Sequence, residues 1–379
     1  MMPGLALDPA ADPSGRLVPG VRKLAVLRAN ALGDFLVALP ALDALRAAYP
    51  HAEIVLLGCD WHRQFLDGRQ GPVDRTVPVP PSDGVRDDAP PAGPEELDRF
   101  FARMRGERFD LAVQLHGGGR HSNPFVRRLG ARLTAGLRAD DAPPLDRTVP
   151  YRYWQHETFR FLEAVAVVGA APVTITPRVA VTRRDRAEAA WALAPDGRPL
   201  VVLHPGATDP RRRWPVASFA AVGRRLASRG ARLAVVGVPA ERDLTGQLAA
   251  ALPGAAELCG RLSPGGLAGL LERACLVLGN DSGPVHLAGA VGTATVAVFW
   301  CGNLVNVAPL ARARRRVCAS WRLACPLCGA DSIRGGCDHH ASFVADVGVD
   351  EVAAEALDLF DQERDRGAPA LLPAPQPGG

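Results

Sequence analysis

Residues 275–299 read CLVLGNDSGPVHLAGAVGTATVAVF, and this stretch decides the fold. An apolar run, Cys275–Asn280, stops at Asp281-Ser282-Gly283-Pro284, and a second apolar run, Thr293–Phe299, begins after Gly292. Short continuous apolar runs of this kind suit strands of a parallel sheet, which helices cover on both faces. The residues between have room for one turn and one short helix, so the unit is strand–turn–helix–strand. Ser282 is expected to cap that helix, Gly283 lets a backbone or ligand come close, and Pro284 suits the first helical turn. A helix N-terminus at the carboxyl end of a parallel sheet is a seat for a diphosphate. Asp281 and Ser282 read equally well as simple caps.

The same rhythm extends in both directions. In the second half, strands are expected at Pro199–Leu203, Ala231–Val236, Cys275–Asn280 and Thr293–Phe299, with amphipathic stretches at Val216–Ser228, Glu241–Ala251 and Gly266–Ala274 between them. In the first half, residues 23–29 (KLAVLRA) form an apolar run, and Gly33-Asp34 lead into an amphipathic segment carrying Phe35, Leu36, Leu39, Leu42 and Leu45. A second strand follows at Glu53–Gly58 (EIVLLG), with looser ones at Val73–Val79 and Asp110–Leu115. Pro80–Pro94 is a Pro-rich loop, a helical segment surrounds Tyr153–Gly169, and Ala170–Val181 reads as a link. Two successive parallel α/β halves fit this pattern better than one closed barrel. The expected organisation is a tail at 1–20, domains at 21–178 and 179–348, a last helix at 349–365 that closes back, and a tail at 366–379.

With 379 residues, 47% hydrophobic and 22% charged, the chain is an ordinary globular one large enough for two domains. Its 44 basic and 40 acidic residues leave a net charge of only +4, too balanced for a dedicated nucleic-acid binder. Lys23 is the sole lysine and stands in neither a Gly-Lys-[Ser/Thr] loop nor a buried pocket motif, which excludes P-loop and Schiff-base chemistry. The first 20 residues lack a basic segment followed by an apolar one, which points to a protein retained in the cytoplasm. Residues 282–311 carry no Asp, Glu, Lys or Arg, but glycines, Pro284, His286 and two asparagines break the stretch into a helix, a strand and a loop rather than a membrane span.

Other segments carry candidate chemistry. His204–Pro215 (HPGATDPRRRWP) follows a strand, and three arginines there can clamp phosphates bidentately or simply form a solvated basic loop. His116-Gly117-Gly118-Gly119-Arg120 has the form of an esterase oxyanion loop, but the chain contains no Gly-x-Ser-x-Gly nucleophile elbow. Of eight cysteines, Cys59, Cys259, Cys275 and Cys301 are scattered in apolar surroundings. Cys318, Cys325, Cys328 and Cys337, with His339 and His340, give C-x6-C-x2-C-x8-C-x-H-H, a spacing that in a cytoplasmic protein favours a closed structural zinc site over disulfides.

Three segments in order, Leu27–Pro50 (LRANALGDFLVALPALDALRAAYP), Leu203–Pro215 (LHPGATDPRRRWP) and Gly279–Phe299, resemble glycosyltransferase family 9, the heptosyltransferase-like enzymes. The resemblance runs over residues 23–360. It implies a GT-B architecture, with two Rossmann-like domains facing across a cleft, the first for the acceptor and the second for the nucleotide sugar. It also implies an inverting transferase with no obligatory catalytic metal. Asp34 matches the family's general base on the acceptor hydroxyl, against an alternative reading as a helix N-cap. Thr208, Arg212, Asp281, Ser282, Gly283 and His286 match donor-binding positions. An arginine stands where family members often have lysine, in a longer loop, which leaves open which of Arg211, Arg212 and Arg213 meets the phosphates. Arg28 matches a basic position lining the cleft, and Gln114, His116 and Arg120 are candidates on the acceptor side. The family name suggests an ADP-linked heptose and a lipopolysaccharide core acceptor. Other nucleotide sugars and glycan or glycolipid acceptors stay open, and a lipid-linked acceptor brings peripheral contact with the inner face of the membrane. A non-catalytic nucleotide- or sugar-binding module and a sugar-nucleotide epimerase are the competing readings of the same fold.

Overall fold

Leu24, Ala25, Val26 and Leu27 are each at most 1% exposed, a burial that an apolar strand gains only between two layers of helix. In the computed structural model, which describes residues 16–333 and 336–366, this segment is β1 (Lys23–Leu27). It pairs in parallel with β2 (Glu53–Gly58) on one side and β4 (Leu111–Gln114) on the other. Adding β3 (Arg75–Pro78), β5 (Leu133–Arg138) and β6 (Arg147–Pro150) gives a six-stranded parallel sheet of order β3-β2-β1-β4-β5-β6. Ala25, Leu27, Val55 and Leu57 turn to one face, where Phe100, Phe101 and Met104 of helix Pro94–Gly106 cover them. Helices Leu39–Ala48 and Glu157–Ala166 pack on each other within the same unit, through faces that include Leu42, Leu45, Phe161 and Val165. Truncating a buried core phenylalanine such as Phe101 to alanine costs about 3–5 kcal/mol.

The second sheet has β7 (Leu200–His204), β8 (Arg232–Val235), β9 (Ala256–Glu257), β10 (Leu276–Asn280), β11 (Ala294–Trp300) and β12 (Arg315–Ser320), all parallel, in the order β12-β11-β10-β7-β8-β9. Read from the β9 edge, this is the winding of the first sheet again. In each sheet the chain order reverses beside the first strand, between β1 and β4 and between β7 and β10. Helices Val216–Ser228 and Val349–Asp365 pack together over the second sheet through Phe219, Val222, Leu226, Ala356, Leu359 and Phe360. The C-terminal helix thus closes back on this sheet. Gly269 of helix Pro264–Glu272 lies against the backbone of Asp185 in helix Arg183–Ala192, where any Cβ would overlap the Asp185 carbonyl.

The described residues fall into two units, 16–180 with 305–307, and 181–304 with 308–366. The tail readings at 1–20 and 366–379 lie outside the described residues except at 16–20 and 366. Residues 16–20 depart from a loose tail: Val18 is buried, its amide donates to Tyr49 Oη at 3.1 Å, and the Pro19 carbonyl accepts from Arg132 at 2.8 Å. At the start of β1, Lys23 Nζ lies 2.9 Å from Glu107 Oε2 and 3.2 Å from Glu53 Oε2, and Arg75 bridges the same two carboxylates.

Candidate active site

Both order reversals coincide with the segments singled out in the sequence. Ligands of doubly wound sheets bind at such points, beyond the carboxyl ends of the strands. In the first unit, β1 runs into Arg28 and then a five-residue helix, Leu32–Leu36. Arg28 is only 3% exposed, and its guanidinium is spent on the backbone: Nε and Nη2 donate to the Asp34 carbonyl at 2.9 and 2.7 Å, and Nη1 donates to the Leu115 carbonyl at 2.9 Å. Its Nη2 also lies 3.6 Å from Asp34 Oδ1 and from Glu157 Oε2. The helix N-cap is Ala31, without a side-chain cap, so Asp34 does not cap it. The Asp34 carboxylate stays 47% exposed beside the clamped turn.

The acceptor-side candidates divide. Gln114 is fully buried, with Nε2 donating to the His116 and Gly117 carbonyls at 2.8 and 3.1 Å and Oε1 accepting from the Leu137 amide at 3.3 Å. Gly136 admits it, since a Cβ there would strike the Gln114 backbone. Gln114 is therefore a brace. His116 is buried as well, and its Nδ1 accepts from the Ala29 amide at 3.3 Å. Burial and then the Arg28 charge push its pKa down to about 3, against a backbone hydrogen bond at Gly84. Arg120 is exposed and ion-paired with Asp141.

In the second unit, Asp281 follows β10 with its carboxylate almost wholly buried, and it gathers three partners. His286 Nε2 lies 3.0 Å from Oδ1, while Asn303 Nδ2 and Arg212 Nη1 donate to Oδ2 at 2.7 and 3.3 Å. Burial works to raise its pKa, but these partners outweigh it and hold the carboxyl below its usual range. Asp281 thus draws His286, Asn303 and Arg212 together at the end of β10. Among the three arginines, Arg211 is turned onto Asp209 and over the Phe343 ring, and Arg213 Nε is given to the Ala207 carbonyl. Arg212 is one-quarter exposed and is turned toward Asp281. Thr208 is exposed on the same loop.

Ser282 departs from its expected role. It occupies the N-cap of helix Gly283–Ala290 but makes no capping bond there. Its hydroxyl instead lies 3.0 Å from both the Asn280 carbonyl and His204 Nδ1. His204 Nε2 continues the chain to Glu241 Oε2 at 3.2 Å, and Glu241 also accepts from the Val238 amide at 3.0 Å. Burial raises the Glu241 pKa, but the bonds from His204 and Val238 outweigh it and keep the carboxylate below its ordinary value. Neither His204 nor Glu241 was named as a site residue from the sequence; His204 ends β7 and Glu241 lies just beyond the carboxyl end of the neighbouring β8, which is the signal that would have found them. Asn280 sews the region together, with Nδ2 donating to the Pro205 and Gly206 carbonyls and Oδ1 accepting from the Trp214 amide.

The cysteine grouping needs one correction. Cys318 is not a ligand: it points from β12 into the core at 1% exposure, and burial, followed by Glu351 and Glu355, pushes its pKa to about 12. Its place is taken by His339. Cys325, Cys328, Cys337 and His339 bring their ligand atoms within 4.8 Å of one another.

The family model for glycosyltransferase family 9 (heptosyltransferase) matches residues 97–327, well over half of the chain. Lipopolysaccharide heptosyltransferase 1 of Pseudomonas aeruginosa is 29% identical over 74% of this chain and 79% of its own length. Lipopolysaccharide heptosyltransferase 2 of Salmonella typhimurium is 24% identical over 77% of this chain and 87% of its own. Among solved structures, a family 9 glycosyltransferase of Veillonella parvula superposes with a TM-score of 0.73 at 18% identity, covering 90% of this chain and 97% of that one. The E. coli ADP-heptose lipopolysaccharide heptosyltransferase II gives 0.71 at 18% identity over 90% and 99%. Two Rossmann-wound sheets with the expected loops at both order reversals are the GT-B fold those neighbours share. The chain belongs to glycosyltransferase family 9, the heptosyltransferase family, and is an enzyme of glycosyl transfer.

Proposed function

We propose that the protein transfers a heptose from an ADP-linked donor to a hydroxyl of a lipopolysaccharide-type core acceptor, with inversion at the anomeric carbon. The observation that carries the reading is an exposed carboxylate on a turn locked by a buried arginine at the first sheet's order reversal; at the second sheet's order reversal, taken by itself, Arg212 is held by Asp281. Asp34 takes the proton of the acceptor hydroxyl as its oxygen bonds to the anomeric carbon. The bond from that carbon to the diphosphate breaks, and ADP leaves with its growing charge met by Arg212 and by amides around Ser282 and Gly283. Thr208 and His286 complete the donor side. Arg28 acts as a positioning residue for Asp34, and His116 and Gln114 hold the loops beside it. A side-chain cation rather than a metal meets the leaving group, and the cysteine cluster is structural.

Among the described residues no helix is long and apolar enough to cross a membrane. The proposed setting is the cytoplasm, at the inner face of the membrane where a lipid-linked acceptor is presented. The test is Asp34→Asn assayed with ADP-heptose and a deacylated core acceptor. Turnover should fall by roughly 10²- to 10⁴-fold while ADP binding is retained, and the product anomer should be inverted relative to the donor. Unchanged turnover sinks the role of Asp34; stabilisation by UDP, GDP, CDP or dTDP but not ADP in a thermal-shift panel sinks the donor assignment.

A further inference from the structure

The hairpin that follows β12 has apolar side chains but no core of its own. Trp321, Leu323 and Leu327 are 71%, 59% and 67% exposed. It is closed by an antiparallel bridge between Ala324 and Asp331, by the Cys325 amide donating to the Ala330 carbonyl at 2.8 Å, and by the Gly329 amide donating to the Cys325 carbonyl at 2.9 Å. Gly329 takes φ +73°, a left-handed conformation that suits glycine and turns Cys328 back beside Cys325. Cys337 and His339 arrive from the following segment, and His339 Nδ1 lies 3.8 Å from Cys325 Sγ. A tetrahedron with metal–sulfur bonds of about 2.3 Å has edges of about 3.8 Å. Three thiols and an imidazole are soft donors that select zinc over magnesium or calcium, and four protein ligands close the coordination shell.

The segment leaving His339 is fastened to the arginine loop. Ser342 Oγ donates to the Arg213 carbonyl at 2.7 Å, the Phe343 amide donates to the Arg211 carbonyl at 2.6 Å, and the Arg211 guanidinium lies 5.1 Å over the Phe343 ring. Phe343 itself is buried against Trp300. The residues on both sides of Arg212 are thus tied to a strap that starts three residues after a ligand histidine.

We propose that Cys325, Cys328, Cys337 and His339 bind one zinc ion, and that zinc occupancy, by anchoring this strap, sets the affinity of the Arg212 loop for the donor nucleotide. The second clause rests on the assignment of Arg212 to the donor site. Thiolate ligation restrains a hairpin that hydrophobic burial does not hold. The strap then passes that restraint to the backbone on either side of Arg212, and a loosened strap leaves Arg212 without its fixed approach to the diphosphate.

The full-length protein, stripped of metal under reducing conditions, is titrated with Co²⁺ and then with Zn²⁺, and ADP binding is measured by calorimetry at each stage. Co²⁺ should give thiolate charge-transfer and tetrahedral visible bands that saturate at one equivalent and vanish when zinc is added. Metal removal should weaken ADP binding roughly tenfold or more, and zinc should restore it. Cys328→Ser should lose the cobalt spectrum. Ser342→Ala should keep the spectrum yet bind ADP more weakly, which separates a severed strap from a misfolded hairpin. Absence of the cobalt bands, or a disulfide within the cluster after mild reduction, overturns the zinc site. Equal ADP affinity with and without zinc overturns the linkage alone. Failure of the zinc-loaded protein to bind ADP removes the donor assignment and the linkage with it, while the cobalt titration still reports on the site.

Discussion

Lowering the pH should destabilise the first unit through two buried histidines. His62 Nδ1 accepts from the Cys59 amide at 2.9 Å, and His116 Nδ1 accepts from the Ala29 amide at 3.3 Å. Each ring must be neutral to accept, and burial, followed by the charge of Arg28, pushes both pKa values from 6.5 to about 3. The folded pKa is therefore depressed. Above pH 6.5 both states are neutral and the full stability is present. As pH falls through the window from 6.5 to 3, the unfolded chain takes up protons that the folded chain resists, and stability drains away. Each unit of pH costs about 1.4 kcal/mol per histidine, so at pH 5.0 the pair costs about 4 kcal/mol. Urea unfolding at pH 7.5 and 5.0 measures this, with Trp61 as reporter because its ring stacks on His62 at 3.7 Å. His62→Gln and His116→Gln should each remove about half of the difference between the two pH values, whatever they do to stability at pH 7.5. A double variant with the wild-type pH difference refutes the reasoning. Because the Ala29 amide lies on the way to Asp34, His116→Gln should also shift the acid limb of activity.

Two further substitutions probe the second unit. Asp281→Ala strips His286, Asn303 and Arg212, all of them partly exposed, of their common acceptor; each lost bond to the charged group should cost about 1 kcal/mol, and ADP affinity should drop by roughly tenfold, checked by thermal unfolding and calorimetry. Gly206→Ala places a Cβ on the Glu241 carboxylate, which must leave both His204 and the Val238 amide; losing these two bonds to a charged group should cost about 3–6 kcal/mol, read as a lowered denaturation midpoint.

The central strands were legible because they are buried on both faces, and Glu53–Gly58 occupies the expected position residue for residue; so does Val216–Ser228, whose amphipathic period marks it as a helix. Of the strands that escaped notice, β6, β9 and β12 lie at sheet edges, and β5 (LTAGLR), though buried, has its apolar run interrupted by Thr134 and Gly136. RRVCAS of β12 and the two residues of β9 carry little apolar signal. At the site, sequence placed Asp34, Arg212 and Asp281 on the loops where the sheets reverse order. It did not reveal that Arg28 and Gln114 spend their polar atoms on backbone: some of those partners are near in the chain but fixed only once the turns form, and others, Leu115 and Leu137, are 87 and 23 residues away. The chain from Ser282 through His204 to Glu241 spans separations of 78 and 37 residues and leaves no local pattern. Cys318 misled because spacing counts residues along the chain, whereas strand alternation turned its thiol inward, away from the other three.

The ion cluster at the start of β1 has a practical side. Lys23 is the chain's single lysine, and hydrogen bonds to Glu107 and Glu53 raise its pKa, so little of it is free amine at neutral pH. Acylating reagents will therefore modify this lysine slowly. It lies at the opposite end of β1 from the Arg28–Asp34 turn, about 16 Å along a five-residue strand. A fluorophore or surface tether carried by Lys23 leaves the carboxyl edge of the first sheet open. Arginine-for-lysine usage, which began as a compositional oddity, leaves the enzyme with a single amine-bearing side chain, placed away from the turn that carries Asp34.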